Sequence, residues 1–296
     1  MKPVSTFLAA IGIVAIVSLA TGAALAQNGP PSQVLPEGIR GGSEVVPEPR
    51  VQIRKYLFET TNEELPYSVF VSSKIKPGEQ APLIIALRGF TGTTLTFVRG
   101  TAVDLAEDGG YILVGPIGYN NRAGFGVPPR TRTPPSPART APRELPPLVG
   151  GTAETDPAKI SQYSEQDVMS VLALVRKEFA IDERRIYLMG HSQGGGGARH
   201  LAEKYSDVWA AVALLAPAIF DVALTVESKI IDVPLMIAIG EQDFLIEGVR
   251  GFHRQLESLK ISHEYVEMRD LDHGTIIMGS MPEVFRFFPK HVKQEL

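Results

Sequence analysis

The feature that most constrains this chain is a serine set between two glycines at the end of an apolar run. Met189 ends a run that begins at Arg185, and the sequence Gly-His-Ser-Gln-Gly follows, with the serine at position 192. Small residues around a serine allow a sharp strand-to-helix turn that holds the hydroxyl above a sheet. Residues 195–205 carry apolar side chains at helical spacing, as the second arm of such a turn requires. The pattern predicts a nucleophile elbow centred on Ser192.

A glycine-rich turn that binds phosphate is the alternative reading of this segment, because residues 194–197 are all glycine. Such turns carry recognisable patterns, G-x-G-x-x-G after a first strand or G-x-x-x-x-G-K-[ST] before a helix. Neither pattern stands at such a place in the chain. The elbow is therefore the favoured interpretation.

The first 26 residues have the pattern of an export signal. Lys2 gives a positive start, residues 7–20 are apolar, and Ala-Leu-Ala ends at Ala26. We expect a signal peptide over 1–26, cleaved after Ala26, and a secreted or periplasmic protein without stable membrane insertion after cleavage. An uncleaved membrane anchor is the alternative, because the uncharged stretch is about long enough to span a bilayer.

Composition excludes several classes of protein. The chain has no cysteine, which rules out disulfides, thiolate metal sites and a lipid anchor on an N-terminal cysteine. Its net charge is −4 and no basic tract dominates, so nucleic acid is not an expected partner. With 44% hydrophobic and 21% charged residues, it has the composition of an ordinary globular domain.

The order of predicted elements indicates one α/β domain over 51–296, after a proline-rich linker or extended arm at 27–50. Short apolar strands alternate with helices, which predicts a mostly parallel central sheet with helices on both faces. The predicted strands are 51–58, 66–73, 83–87, 111–114, 185–189, 210–215, 234–239 and 263–268, and the predicted helices are 164–179, 195–205, 247–259 and 281–292.

A proline-rich insertion at 121–150 interrupts this alternation. It contains eight prolines and five arginines against one acidic residue, Glu144. Loops of this length in a compact domain usually act as lids or binding loops, or are disordered. We expect the insertion to cover the site, and its arginines to favour substrates that carry an anion. A loop without a role and with solvated arginines is the alternative.

Two loops at predicted strand ends supply an acid and a histidine. Asp243 follows the strand at 234–239, and His273 follows the strand at 263–268. In a parallel sheet, catalytic groups collect at the carboxyl ends of strands. The chain order Ser192, Asp243, His273 is that of the α/β-hydrolase triad.

The choice of each triad member depends on elimination. Of the six histidines in the chain, only His273 stands in a strand-end loop. The acid has three competitors, which follow the same strand too closely or lie too near His273 in sequence. These competitors are Glu241, Asp270 and Asp272.

An oxyanion hole needs two backbone amides near the serine. Gln193 supplies one, because it follows the nucleophile at the start of the helix. The loop after the third strand should supply the other, from Phe90 with Thr91 as the alternative. Arg88, Thr91 and Tyr119 are further candidates for substrate binding, since they stand in loops at this end of the sheet; plain turn packing is the alternative for Tyr119.

At these residues the chain resembles serine hydrolases of the α/β-hydrolase fold. It is similar to secreted bacterial esterases and predicted peptidases grouped with dienelactone hydrolases, prolyl oligopeptidase catalytic domains and polyhydroxybutyrate depolymerase-like esterases. The matching segments are Leu-Met-Gly-His-Ser-Gln-Gly-Gly at 188–195, Asp-Val-Trp-Ala-Ala at 207–211, Ala-Pro-Ala at 216–218, Asp-His-Gly at 272–274 and Ser-Met-Pro-Glu-Val-Phe at 280–285.

The resemblance covers roughly 83–291 without the insertion, and it implies both a fold and an activity. It implies an exported hydrolase that cleaves carboxylic esters of small or oligomeric substrates through an acyl-enzyme on Ser192, with no metal or organic cofactor. A peptidase with the same triad, or a non-catalytic binding protein on this fold, are the alternatives. One departure is Arg88, where relatives usually carry histidine before the glycine; the arginine could bring a fixed cation to the rim of the site.

Overall fold

The structure, a computed structural model, describes residues 48–128, 144–219, 224 and 228–294. The predicted signal peptide, nearly all of the linker or arm at 27–50, and residues 129–143 of the insertion lie outside the described residues. Within the described ranges, no helix is both long and apolar enough to cross a membrane.

Eight strands form one mixed sheet in the order β1-β2-β4-β3-β5-β6-β7-β8. The first two strands run antiparallel to their neighbours, and the pairs from β4–β3 to β7–β8 are parallel. The strands are β1 (Val51–Phe58), β2 (Glu63–Val71), β3 (Ala81–Leu87), β4 (Ile112–Pro116), β5 (Ile181–His191), β6 (Ala211–Leu215), β7 (Leu235–Gly240) and β8 (His263–Met268). The predicted α/β class with a mostly parallel sheet is confirmed.

Six α-helices and two short 3-10 helices accompany the sheet in the described part of the chain. The α-helices are α1 (Gly100–Gly109), α2 (Pro157–Glu178), α3 (Gln193–Lys204), α4 (Ile246–Ser258), α5 (Ile276–Gly279) and α6 (Met281–Phe287), and the 3-10 helices are Lys229–Asp232 and Phe288–Lys290. The core lies in the central strands, since every residue of β3, β4, β6 and β7 is buried. Buried parallel strands of this kind are continuous apolar runs, which is why the sequence predicts them well.

The observed helices differ from the predicted ones where the hydrophobic periodicity of the sequence is weak. Helix α2 begins at Pro157, well before the predicted start, because Asp156 caps it by accepting the amide of Ala158 at 2.9 Å. Helix α1 was not predicted, since glycines stand at both of its ends and it is only ten residues long. The strands β1 and β8 have the predicted bounds.

The direction of the crossover connections reverses next to β3. Helix α1 leads from β3 to β4 toward one edge of the sheet, whereas α3 leads from β5 to β6 toward the other edge. Because parallel crossovers are right-handed, the two helices lie on opposite faces and leave a crevice between them at the carboxyl ends of β3 and β5. This crevice is where ligands bind in open α/β sheets.

Candidate active site

Ser192 occupies the turn between β5 and α3 in a strained backbone conformation. Its φ of 55° and ψ of −116° lie in a region that residues with side chains rarely adopt. A methyl group on Gly190 would collide with the carbonyl oxygen of Gly194, and one on Gly194 would collide with those of Leu87 and Arg88. The glycines are therefore required by the turn and by its packing against the end of β3.

The structure joins Ser192, His273 and Asp243 in one hydrogen-bonded chain. The Ser192 Oγ lies 2.8 Å from His273 Nε2, and His273 Nδ1 lies 2.8 Å from Asp243 Oδ2. Since a carboxylate can only accept, Nδ1 carries the proton and Nε2 is free to accept the serine hydroxyl. The Asp243 side chain is fully buried, and its second oxygen accepts the amide of Leu245 at 2.8 Å.

The competing acids have other positions. Asp272 accepts the amides of Gly274 and Thr275 and the Thr275 hydroxyl, and these bonds hold the pKa of its carboxyl below the ordinary value. Glu241 and Asp270 are exposed. Of the four candidates, only Asp243 is hydrogen-bonded to the His273 ring among the described contacts.

The loops that carry Asp243 and His273 are held together by their backbones. Gln242 donates its amide to the carbonyl of Leu271 at 3.0 Å. A methyl group on Gly240 would collide with that same carbonyl oxygen, so only glycine allows this approach. The distance between acid and histidine is thus set by the ends of β7 and β8.

His191 holds the other side of the histidine loop. Its Nε2 donates to the carbonyl oxygen of His273 at 2.7 Å, and the two rings lie 4.6 Å apart. Burial, together with the nearby His273, lowers the pKa of His191 to about 3. The neutral ring therefore adds no positive charge beside His273 when that residue takes a proton.

Two backbone amides belong to segments that lie next to Ser192. Gln193 is the first residue of α3, so its amide has no acceptor within the helix. The Phe90 amide has no hydrogen-bond partner among the described residues, and a methyl group on the preceding Gly89 would touch the Ser192 Cβ at 3.4 Å. The Thr91 amide already donates to the Asn121 carbonyl at 2.7 Å, and Thr91 is partly buried. The free amides are thus those of Gln193 and Phe90.

Arg88 is buried beneath this loop and does not reach the rim. Only 1% of the residue is exposed, and all five of its N–H groups are hydrogen-bonded. The acceptors are the carbonyl oxygens of Ile117 (2.9 Å), Gly89 (3.1 Å), Ala123 (3.1 Å) and Asn120, and the side-chain oxygen of Gln193 (3.4 Å). The structure corrects the expectation that Arg88 binds substrate as a rim cation: its charge serves to hold main chain.

Asp167 on α2 complements this buried cation. Its carboxylate accepts the Tyr56 hydroxyl at 2.6 Å and the amides of Gly118 and Tyr119 at 2.6 and 3.2 Å. Burial raises the pKa of Asp167 to about 6, despite the opposing effect of these bonds and of the charge of Arg88. Burial also lowers the pKa of Arg88 to about 9. The loop after β4 is thus held by two buried groups. Asp167 accepts hydrogen bonds from its amides, and Arg88 donates hydrogen bonds to its carbonyl oxygens.

Tyr119 does not line the site, which corrects a second expectation. Its side chain is fully buried in a small cluster with Phe58, Leu65 and Ile117. The hydroxyl donates to Glu63 at 2.9 Å. The φ of 61° at Tyr119, in a turn fastened by Asp167, directs the ring into this cluster behind the loop.

The described ends of the insertion contact each other and Gln193, the residue after Ser192. The Asn121 amide donates to the Val149 carbonyl at 2.9 Å, and the side-chain nitrogen of Gln193 donates to the Arg122 carbonyl at 3.0 Å. The Arg122 guanidinium donates to the Pro146 carbonyl at 3.0 Å, while its Nε is buried without a partner. The other arginines of the insertion, at positions 130, 132, 139 and 143, lie outside the described residues.

Two exposed aromatic rings border the site, and sequence reasoning assigned neither side chain a role. Phe244 is 77% exposed and its ring centroid lies 4.5 Å from that of His273. Phe90, whose amide is one of the free donors, has a half-exposed ring. A phenylalanine directly after the predicted catalytic acid, in a loop at a strand end, is the sequence signal that could have indicated Phe244.

No group of three or more metal-ligating side chains occurs in the ranges that the structure describes. The histidines at the site contact the serine, an acid and a carbonyl group instead. The chemistry that this arrangement can perform is proton transfer from the Ser192 hydroxyl to the His273 ring.

Part of the chain matches a known protein family. Residues 159–241, which include Ser192, match the family model described as esterase PHB depolymerase. No curated protein matches the chain.

Among solved structures, the fold is similar to that of an S-formylglutathione hydrolase from Agrobacterium tumefaciens, with 18% identity, a TM-score of 0.61 and coverage of 82% of this chain and 95% of that one. A ferulic acid esterase from Anaeromyces mucronatus in complex with ferulic acid has 17% identity, a TM-score of 0.59 and coverage of 88% and 97%. A fluorophosphonate-binding serine hydrolase of Staphylococcus aureus has 13% identity, a TM-score of 0.58 and coverage of 80% and 97%.

The fold and the site together define the class of this protein. The sheet, the strained serine turn and the order of strand-end residues are those of the α/β-hydrolases. The chain has the α/β-hydrolase fold, and its residues 159–241 are similar to the esterase family.

Proposed function

We propose that this protein hydrolyses carboxylic esters through an acyl-enzyme on Ser192, with His273 as the base and Asp243 as its orienting acid. The observation that carries the proposal is the His273 ring, hydrogen-bonded at 2.8 Å to Ser192 on one side and at 2.8 Å to Asp243 on the other. The strained backbone of Ser192 at the carboxyl end of β5 supports it.

The proposed reaction begins with attack of the Ser192 oxygen on the ester carbonyl, while His273 Nε2 takes the hydroxyl proton. The carbonyl oxygen becomes an oxyanion that accepts the amides of Gln193 and Phe90. The buried Asp243 carboxylate stabilises the imidazolium that forms on His273.

Collapse of this intermediate breaks the bond between the carbonyl carbon and the alcohol oxygen. His273 gives its proton to the departing alkoxide, which leaves as the alcohol, and the acyl group stays on Ser192. Water then repeats the sequence: His273 takes a proton from it, the hydroxyl oxygen adds to the acyl carbon, and the acid is released as Ser192 regains its proton.

Covalent labelling and one substitution test the proposal. A fluorophosphonate should add once per chain, at Ser192, as identified by a peptide map. Ser192→Ala should fold normally and lose about a million-fold in kcat, by analogy with other triad serines. Labelling at another residue, or an alanine variant with native activity, would refute the assignment.

We further propose that the protein is exported and that a signal peptide is removed after Ala26. The support is the charged start, apolar stretch and small-residue site in the first 26 residues. N-terminal sequencing of protein recovered outside the cytoplasm should begin at Gln27. Recovery with Met1 retained in a membrane fraction would indicate an anchor instead.

A further inference from the structure

Phe244 is the most exposed large apolar side chain in the part of the chain that the structure describes. It follows Asp243 directly, in the turn between β7 and α4. Its ring approaches that of His273 to 4.5 Å between centroids at an interplanar angle of 46°. A single exposed phenylalanine needs no explanation by itself, but this one is in contact with the proposed base.

The two aromatic neighbours of His273 differ in their surroundings. His191 is buried and holds the His273 carbonyl from inside the protein. Phe244 approaches the ring from the solvent side, and the His273 side chain keeps 23% of its surface exposed. Phe244 therefore lies next to the exposed part of the His273 ring.

Proton transfer fixes which part of an ester lies next to this ring. His273 Nε2 gives its proton to the oxygen of the leaving alcohol, so this oxygen must come within hydrogen-bond distance of Nε2. The carbonyl oxygen lies instead toward the amides of Gln193 and Phe90. A group that borders the open side of the His273 ring is thus next to the alcohol portion of the ester.

The chemistry of Phe244 indicates the kind of alcohol. Its ring offers an apolar face with no hydrogen-bonding group, and most of that face is in contact with water in the free protein. Covering it with an apolar group removes this surface from water, whereas a small or strongly polar alcohol does not.

We propose that Phe244 is a specificity-determining residue that binds the alcohol portion of the substrate and selects apolar or aromatic alcohols. The inference rests on the proposed function, since it uses the direction of proton transfer through His273. It assigns Phe244 a contact with the substrate and no part in proton transfer.

The test uses two isomeric esters that differ only in the side on which a phenyl group stands. Benzyl acetate has the ring on the alcohol, methyl phenylacetate has it on the acyl group, and ethyl acetate has none. Phe244→Ala should lower kcat/KM for benzyl acetate about tenfold, as expected for losing an apolar contact. The other two esters should change less than about twofold. Phe244→Leu should retain part of the preference.

Leu57→Ala is the matched control, because Leu57 is another exposed apolar side chain and lies on the edge strand β1. It should leave all three values of kcat/KM unchanged. The pH dependence of kcat/KM for ethyl acetate should be the same in Phe244→Ala and in the wild type, because the proton-transferring groups are untouched.

Three results with an active wild type would overturn the inference alone. An equal loss on all three esters means that Phe244 acts through His273, a loss confined to methyl phenylacetate places it on the acyl side, and no loss means that it binds neither portion. Failure of the wild type to hydrolyse any of the esters or to react with a fluorophosphonate would instead overturn the proposed function and this inference with it.

Discussion

Two sides of the site around Ser192 are held in different ways. The groups proposed to move the serine proton are side chains that hold one another by hydrogen bonds. The groups proposed to bind the oxyanion are backbone amides in segments that a buried cation holds. His273 is fixed by Asp243 and by the carbonyl bond from His191. The Phe90 amide stands in a loop whose position depends on Arg88.

The two sides differ in how directly one residue affects the proposed reaction. Asp243 determines the tautomer of one ring, so its loss should affect proton transfer directly. Arg88 makes no contact with the nucleophile, yet it joins the Gly89 carbonyl, the Gln193 side chain and the loop after β4. The comparison predicts large effects on turnover from the first side and smaller ones from the second.

The largest difference between the sides should appear in Asp243→Asn. An amide in place of the carboxylate can donate to Nδ1 and favour the wrong tautomer of His273, so kcat should fall roughly ten-thousand-fold. Asp272→Asn is the matched control, because Asp272 is bonded to its own turn. Steady-state kinetics on one ester compare the two. If Asp272→Asn is the more damaged, the acid has been misassigned.

Substitutions of Arg88 test the side of the site that is proposed to bind the oxyanion. Arg88→His removes most of the five hydrogen bonds and should displace the Phe90 amide. We expect kcat to fall about a hundredfold with little change in KM, because this amide bonds more strongly to the transition state than to the ester. Arg88→Lys keeps the charge and should still lose activity, since one ammonium cannot replace the planar set of donors.

A variant of Arg88 that melts at a lower temperature but keeps native kcat would contradict this prediction. Thermal unfolding should therefore be measured on both variants beside the kinetics. A rise in KM without loss of kcat would likewise indicate that Arg88 positions the substrate rather than the amide.

His191 links the sides and makes stability depend on pH. Because its pKa is lowered to about 3 from 6.5, the folded protein binds fewer protons here than the unfolded chain between these values. The contribution of the neutral His191 to the free energy of unfolding, about a few kcal/mol, is fully present above pH 6.5 and is lost as the pH falls toward 3. Urea unfolding should show the wild type approaching His191→Gln in stability as the pH falls from 7.5 to 4.5. A constant difference would contradict a neutral buried His191.

The smallest expected effect concerns charge at the described end of the insertion. The Arg122 main chain lies beside Gln193, and its guanidinium brings a positive charge to this end of the insertion, so it should favour an anionic substrate. Arg122→Gln should lower kcat/KM for monoethyl succinate by about threefold at low salt and leave neutral ethyl butanoate unchanged. Equal effects on both esters would show that Arg122 shapes the loop without recognising charge.

Much of the fold could be predicted because its signals are local. The apolar runs of β3, β6 and β7 are continuous in sequence, and the glycines at 190 and 194 mark the turn that holds Ser192. Helix α1 escaped prediction because ten residues with glycine at both ends give a weak periodic signal. The start of α2 escaped because its capping residue precedes a largely polar stretch.

The positions of Ser192, Asp243 and His273 at three strand ends could be read from the sequence alone, since parallel strands bring their carboxyl ends to one edge. Only the tertiary structure decided that Arg88 and Tyr119 turn inward and that Phe244 turns outward. Three of the four main-chain acceptors of Arg88 come from a segment about 30 residues away, and the Asp167 carboxylate that complements its charge comes from a helix still further along the chain. The burial of a side chain depends on such distant partners, which no local pattern records.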